Sequence, residues 1–294
     1  MEILKTPLTY LEQIELLKNR NLLINDEDFA KKILSSINYY RLSAYGLGLH
    51  ENNIYKDGVK FEDIYRLYEF DMKFKYILLE AIEKIEIMLR TKIAYHMAIS
   101  YGNEAHLDSK LFQKEKFHKK FLADLEMEKQ NQHNSAFVKH HNEVYGGRMP
   151  IWVAVELVSF GKLSHFFSNL LVEDQMTIAK EVKTKPIYLR SWLKSLVELR
   201  NICAHYGRVY NRIFTSTPKL YREHREIKEE RIFALILVIK RLIDENSSRQ
   251  KFFYKLQALI EEYEENINLS YIGFPFGWKK IGRASCRERV SSPV

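Results

Sequence analysis

Apolar residues recur at helical spacing along most of this chain. Leu8–Asn19 alternates apolar and polar positions with a period near that of an α-helix. Asp26-Glu27-Asp28 opens a second short helix through Ser35, with acids in the first turn, where the helix dipole favours them. Asn38–Tyr45 is rich in tyrosine and holds Arg41. It reads as an aromatic corner packed between helices, or as a stacking platform for RNA bases beside a basic residue; the packed corner is the favoured reading. Asn52–Gly58 ends in Asp-Gly and predicts a loop or hairpin. Phe61–Ser100 is the longest helical pattern, free of proline and glycine, and predicts one long helix or two with a bend.

Tyr101–Met149 is polar and dense in lysine and histidine. Ile151–Leu171 is apolar with small residues and predicts a buried central helix that stops near Gly161 and resumes at Lys162. Glu156 within it is read as a buried acid, which needs a partner such as a motif arginine. Thr177–Lys183 and Pro186–Arg212 follow as helices, with Pro186 suited to a helix start. Arg222–Asp244 and Phe252–Asn266 complete the series. Strand signals are nearly absent, which predicts an all-α fold of roughly eight to eleven helices. The chain divides into an N-terminal helical segment (1–60), a helical core (61–278) and a tail (279–294). Gly282–Val294 has no apolar period and looks like translated adapter or vector DNA. Without its three Arg and one Glu the net charge falls from +8 to +6.

Composition narrows the function classes. A hydrophobic content of 46% with 29% charged residues marks a soluble globular protein. The net charge of +8 fits a polyanionic partner, though moderately. Cys203 and Cys286 are the only cysteines, which argues against a disulfide framework and a cysteine-based zinc site. Histidines 106, 118, 133, 140 and 141 lack carboxylates or cysteines at ligand spacing, so neither a metal nor another cofactor is expected. Most of Lys114, Lys116, Lys119, Lys120, Lys129 and Lys139 read as a solvated face, with RNA phosphate contact as the alternative. The charged N-terminus argues against a signal peptide, and no apolar run is long enough to span a bilayer. A reducing cytoplasm is the simplest home.

The densest chemistry lies in Leu199–Arg212. On a continuous helix, with Asn201 at zero, His205 falls at about 40°, Arg208 at about −20° and Arg212 at about 20°, a single polar stripe. Leu199, Ile202, Tyr206, Val209, Tyr210 and Ile213 fall between about 80° and 180°, an apolar face expected to bury against neighbouring helices. Arg200 lies beside the stripe, and its long stem can curl toward the histidine. Histidine exchanges protons near neutral pH, arginine offers a planar fork to phosphate oxygens, and asparagine can orient an imidazole. Together they could cleave RNA without a metal, His205 moving protons and Arg200 steadying charge on phosphorus. The alternative is structural: Arg200 pairs with Glu198 or another acid, and His205 caps or packs a helix.

Arg200-Asn201-Ile202-Cys203-Ala204-His205 resembles the Arg-x4-His motif of HEPN ribonucleases, in the form Arg-Asn-x-x-Ala-His. The wider chain resembles the Abi-like (AbiD/AbiF) group of bacterial abortive-infection proteins. The matching runs are Ile37–Tyr45, Pro150–Glu156, Ser159–Ser164, Ser191-Trp192-Leu193 and Gly273-Phe274-Pro275, in the family's order. The resemblance implies a HEPN-like helical bundle with additional terminal helices, and a metal-independent endoribonuclease of phage defence. It implies catalytic roles for Arg200, Asn201 and His205 and substrate binding by Arg208 and Arg212, to which Arg41 is added. RNA would be the substrate, a homodimer would join two motifs in one cleft, and a regulatory small RNA or antitoxin would restrain the activity. Glu86 and Arg90, four apart on one helix, and Glu156 are accessory positions for that cleft. Arg90 and His96 repeat the pattern at looser spacing and read as helix-surface charge. Two rival classes remain: a non-catalytic RNA-binding module, and a dimeric interaction module whose stripe forms interface ion pairs.

Overall fold

The structure, a computed structural model, describes residues 6–243 and 246–279. The Gly282–Val294 segment lies outside the described residues. Twelve α-helices and one two-stranded hairpin make up the regular structure among the described residues, so the fold is all-α. The chain groups into two compact units. One comprises the residues up to Tyr76 with Lys255–Asn268; the other comprises Ile77–Tyr254 with the chain from Leu269 onward.

In the first unit, α1 (Tyr10–Lys18) starts at a capping box in which the Thr9 hydroxyl accepts from the Glu12 backbone while the Glu12 carboxylate accepts from the Thr9 backbone. Asp26 caps α2 (Glu27–Ser36) by accepting from Phe29 N. Asn38 caps the short α3 (Tyr39–Ser43). Strands β1 (His50–Glu51) and β2 (Ile54–Tyr55) pair antiparallel, and the linking Asn52 and Asn53 both hold positive φ, the geometry of a tight two-residue hairpin turn. Helix α4 (Phe61–Tyr101) is continuous over 41 residues. Within this unit its Lys73 and Arg66 lie over the ring of Tyr263.

The second unit takes the rest of α4, then α5 (Glu115–Asn131), α6 (Ala136–Tyr145), α7 (Ile151–Leu157), α8 (Phe160–Asn169), α9 (Val172–Glu181), α10 (Pro186–Ala204) and α11 (Ile232–Leu242). The last helix, α12 (Asn246–Glu262), is divided between the units at Lys255. The apolar run Phe233–Ile239 makes α11 buried all round, as a helix at the centre of a core must be. Helix α10 packs on α8, α9 and α11, and α5 packs on α8 and α7.

Several boundaries differ from the sequence expectation. The 151–171 helix breaks at Val158 and Ser159, which are extended, and not at Gly161, which lies inside α8. The Ser159 hydroxyl accepts from Lys162 N, so a serine cap sets the break. In the 222–244 stretch, α11 begins only at Ile232, after a single 3₁₀ turn at Arg222–His224.

Candidate active site

Helix α10 ends at Ala204, with His205 as the capping residue. Tyr206 takes φ +58, its N–H donates to Cys203 O at 3.2 Å, and Gly207 N donates to Ile202 O at 2.7 Å. This pair of bonds is a Schellman cap, with tyrosine where glycine is usual. The helix expected to run to Arg212 therefore stops, and Arg208 and Arg212 leave the stripe they were assigned to. Stripe geometry survives for Asn201 and His205 alone.

Arg200 is half-buried, and Asn201 and His205 are exposed. Arg200 Nη1 donates to Asn201 Oδ1 at 3.4 Å. Among the described residues neither Arg200 nor His205 has a carboxylate partner. The structural alternative had placed Glu198 on Arg200, but Glu198 turns elsewhere. It accepts from Thr215 N at 3.1 Å, Thr215 Oγ1 at 3.0 Å and Ser216 N at 2.6 Å. Burial raises its pKa, but those donors outweigh burial and hold the carboxyl below its ordinary value. Farther back along α10, Ser191 Oγ accepts from Lys219 N at 2.8 Å, and Trp192 Nε1 donates to Lys219 O at 2.7 Å. Glu198, Ser191 and Trp192 thus draw residues 215–219 back along the helix that carries the motif.

Beyond the cap, Val209, Tyr210 and Phe214 are buried and fix the backbone of the Arg208–Arg212 segment. Arg231 holds its far end, Nη1 donating to Asn211 Oδ1 at 3.1 Å, Arg212 O at 3.4 Å and Tyr271 O at 2.9 Å. Gly273 permits this, since a Cβ there would sit 2.4 Å from Arg231 Cβ at φ +78. The Gly-Phe-Pro run near the end of the chain thereby supports the segment that follows the motif.

The accessory positions divide. Glu86 and Arg90 do pair, and Arg90 also donates to the Val155 carbonyl. Arg90 is buried, which corrects its reading as surface charge: it joins α4 to α7. His96 Nε2 lies 2.8 Å from Asp174 Oδ1, to which the Tyr101 hydroxyl also donates at 2.8 Å, so His96 serves an α4–α9 contact. Glu156 is exposed, which corrects the buried-acid expectation; α7 turns Val155 and Leu157 inward and Glu156 out. Arg41 is exposed on α3 in the first unit, with Asn38 and the buried Tyr45, whose hydroxyl donates to Asp71. Tyr45 fits the packed corner, whereas Tyr40 is 85% exposed.

Of the lysine-rich stretch, Lys119 pairs with Glu115 and Lys129 with Glu126. Among the described residues, no group of three or more His, Cys, Asp or Glu side chains is arranged to hold a metal. His118 stacks on Phe112 and meets the His106 carbonyl, which places two of the five histidines in packing.

A family model described as Abi-like protein matches residues 32–211, more than half of the chain. The chain belongs to the Abi-like family. The Abi-like match takes in the Ile37–Tyr45 run, the α7–α8 break, Ser191-Trp192 and the whole of Arg200–His205, ending just past the cap at Asn211. The family points to abortive infection, a defence against phage. No curated protein and no solved structure matches this Abi-like chain. No helix among the described residues is long and apolar enough to cross a membrane.

Proposed function

We propose that this protein is a metal-independent HEPN-type endoribonuclease of bacterial phage defence, working in the cytoplasm. The observation that carries the reading is that Arg200 and His205 both stand at the C-terminal end of α10, neither engaged by a carboxylate among the described residues. A helix C-terminus carries partial negative charge and repels phosphate, so arginines at that end are what a phosphate site there requires.

In the reaction, His205 takes the proton of a ribose 2′-hydroxyl or gives one to the leaving 5′-oxygen. The 2′-oxygen bonds to phosphorus as the P–O5′ bond breaks, leaving a 2′,3′-cyclic phosphate and a 5′-hydroxyl. Arg200 steadies the charge on the phosphoryl oxygens, and Asn201 orients the imidazole. Arg208 and Arg212 hold flanking phosphates. A homodimer that joins two α10 ends supplies a second histidine for the other proton transfer. Tyr206 and Ile213, 70% and 64% exposed beside the motif, give such a dimer apolar surface to bury. A small RNA or antitoxin that covers the α10 end would restrain the activity.

The test is cleavage of total bacterial RNA in EDTA by wild type, Arg200→Ala and His205→Ala. Cuts with 2′,3′-cyclic phosphate ends, made by wild type and lost in both variants, are expected. Cutting that persists in both variants overturns the assignment. Binding without cutting favours the non-catalytic RNA-binding alternative.

A further inference from the structure

Two adjoining cavities of about 680 and 470 Å³ open between α5, α8 and α10, sharing Gly161, His165, Ser168 and Arg190. Gly161, Ser164 and Ser168 give a floor of small residues along α8. The walls carry Lys114, Lys120, Arg190, Lys194 and Lys219. None of these five cations has a carboxylate partner among the described residues; Arg190 donates only to the neutral Gln175 amide at 2.8 Å. The carboxylate on the wall, Asp124, faces Lys162 at 3.7 Å, and Lys162 also meets Glu128 at 2.8 Å; these three groups leave one net negative charge against the five cations of the walls. Phe117 is 51% exposed at the rim, with Lys114 Nζ 5.6 Å from its ring centre.

Helix arithmetic ties this groove to the motif. Taking Asn201 as zero on α10, Ile187, Arg190, Lys194 and Val197 fall within about 40° of it. The groove wall and Asn201 therefore share one face, and His205 caps its end. Arg190 to Asn201 spans about 16 Å of helix. Lys219 is brought to the same wall by its backbone bonds to Ser191 and Trp192.

We propose that this groove is a binding track for single-stranded RNA that leads the strand along α10 to Asn201 and His205. Unneutralised cations along a groove follow a phosphate backbone, and an exposed aromatic ring beside them stacks an unpaired base. Cavities of this size take roughly one or two nucleotides each, and a duplex keeps its bases out of reach of Phe117. The choice of RNA rests on the nuclease reading; the groove and its charge do not.

The experiment is fluorescence anisotropy of a labelled 12-nucleotide single-stranded RNA, titrated with the full chain across a salt series. Wild type is compared with Lys194→Glu/Lys219→Glu, with Phe117→Ala, and with the charge-matched Lys31→Glu/Lys32→Glu on exposed α2 positions. Lys194→Gln/Lys219→Gln and a circular dichroism melt of each variant guard against misfolding. Phe117→Ala is expected to weaken binding about 5- to 150-fold. The Lys194/Lys219 variants are expected to weaken it more than tenfold, and the Gln pair to flatten the slope of log affinity against log salt by about 1.4. The control should stay near wild type. Unchanged binding in the groove variants, equal weakening in the control, or tighter binding of duplex overturns the track. Groove-dependent binding by a protein that never cuts RNA upholds the track and sinks the nuclease reading. Cutting that needs His205 but not Lys194, Lys219 or Phe117 does the reverse.

Discussion

Gly207 donates its backbone N–H to the Ile202 carbonyl at 2.7 Å, and a Cβ at 207 would stand 3.0 Å from Ile202 Cγ2 and 3.1 Å from that same carbonyl oxygen. This approach ends α10 at the motif histidine. It keeps His205 at a helix end, where a histidine inside the expected longer helix would have faced along the stripe.

Gly207→Val should therefore destabilise the protein by about 1–3 kcal/mol, because the branched side chain meets backbone that has little room to shift. The urea midpoint reads this directly. In the nuclease assay the same variant should lose more activity than its folded fraction explains, since the cap places His205. A midpoint equal to wild type would mean the chain passes Ile202 less closely.

Arg90 is expected to be structural. It is buried, paired with Glu86 and bonded to the Val155 carbonyl. Arg90→Met should cost about 3–5 kcal/mol, since it strands a largely buried carboxylate and a carbonyl acceptor. Glu86→Gln should cost less, as the amide oxygen still accepts from the guanidinium. If Arg90→Met unfolds no more easily yet abolishes RNA cleavage, Arg90 belongs to the reacting site.

Much of this architecture was legible in the sequence because it follows from local rules. The long α4 lacks any breaker, Asp26 is a cap, and Asn52–Gly58 carries turn residues. The end of α10 was harder to read. Tyr206 occupies a left-handed position that glycine normally fills, and the required glycine stands one place later for reasons of close approach to Ile202. Extending the stripe forward to Arg208 and Arg212 followed from that. The same stripe runs backward through Val197, Lys194 and Arg190, at spacings readable from the sequence. Glu156 misled because an acid in an apolar run is expected inside; only the packing of α7, which turns Val155 and Leu157 inward, shows which face it takes. Arg231 and Lys219 could not be found locally, since their partners at Tyr271 and on α10 are joined only by the tertiary fold.

Arg231 offers a test of that long-range support. Arg231→Met removes the donors to Asn211, Arg212 and Tyr271 while keeping most of the apolar stem. Loss of the Arg212 segment's anchor should weaken RNA binding several-fold and raise amide exchange at 211–213, with the α10 cap protected as before. Hydrogen exchange with mass spectrometry separates the two regions. Equal exchange in both proteins would show that Val209 and Phe214 alone fix the segment.

His106 should give the protein a specific acid weakness. It is buried, its Nδ1 has no partner, and desolvation pushes its pKa down from 6.5 to about 4, against the pull of Glu104 and with His118 adding to the drop. The folded state thus holds the ring neutral while the unfolded chain protonates near 6.5. The stabilisation is fully present above about pH 6.5 and is lost as pH falls from there toward 4, below which both states are charged. The shift corresponds to about 2–3 kcal/mol between pH 7.5 and 4.5. His224, also pushed down by burial, contributes in the same direction, so the comparison must be with His106→Leu and not with wild type alone. Urea denaturation at pH 7.5 and 4.5 should show wild type losing about 2–3 kcal/mol more than the leucine variant over that interval. Parallel losses would mean that His106 is protonated in the folded protein as readily as in the unfolded chain.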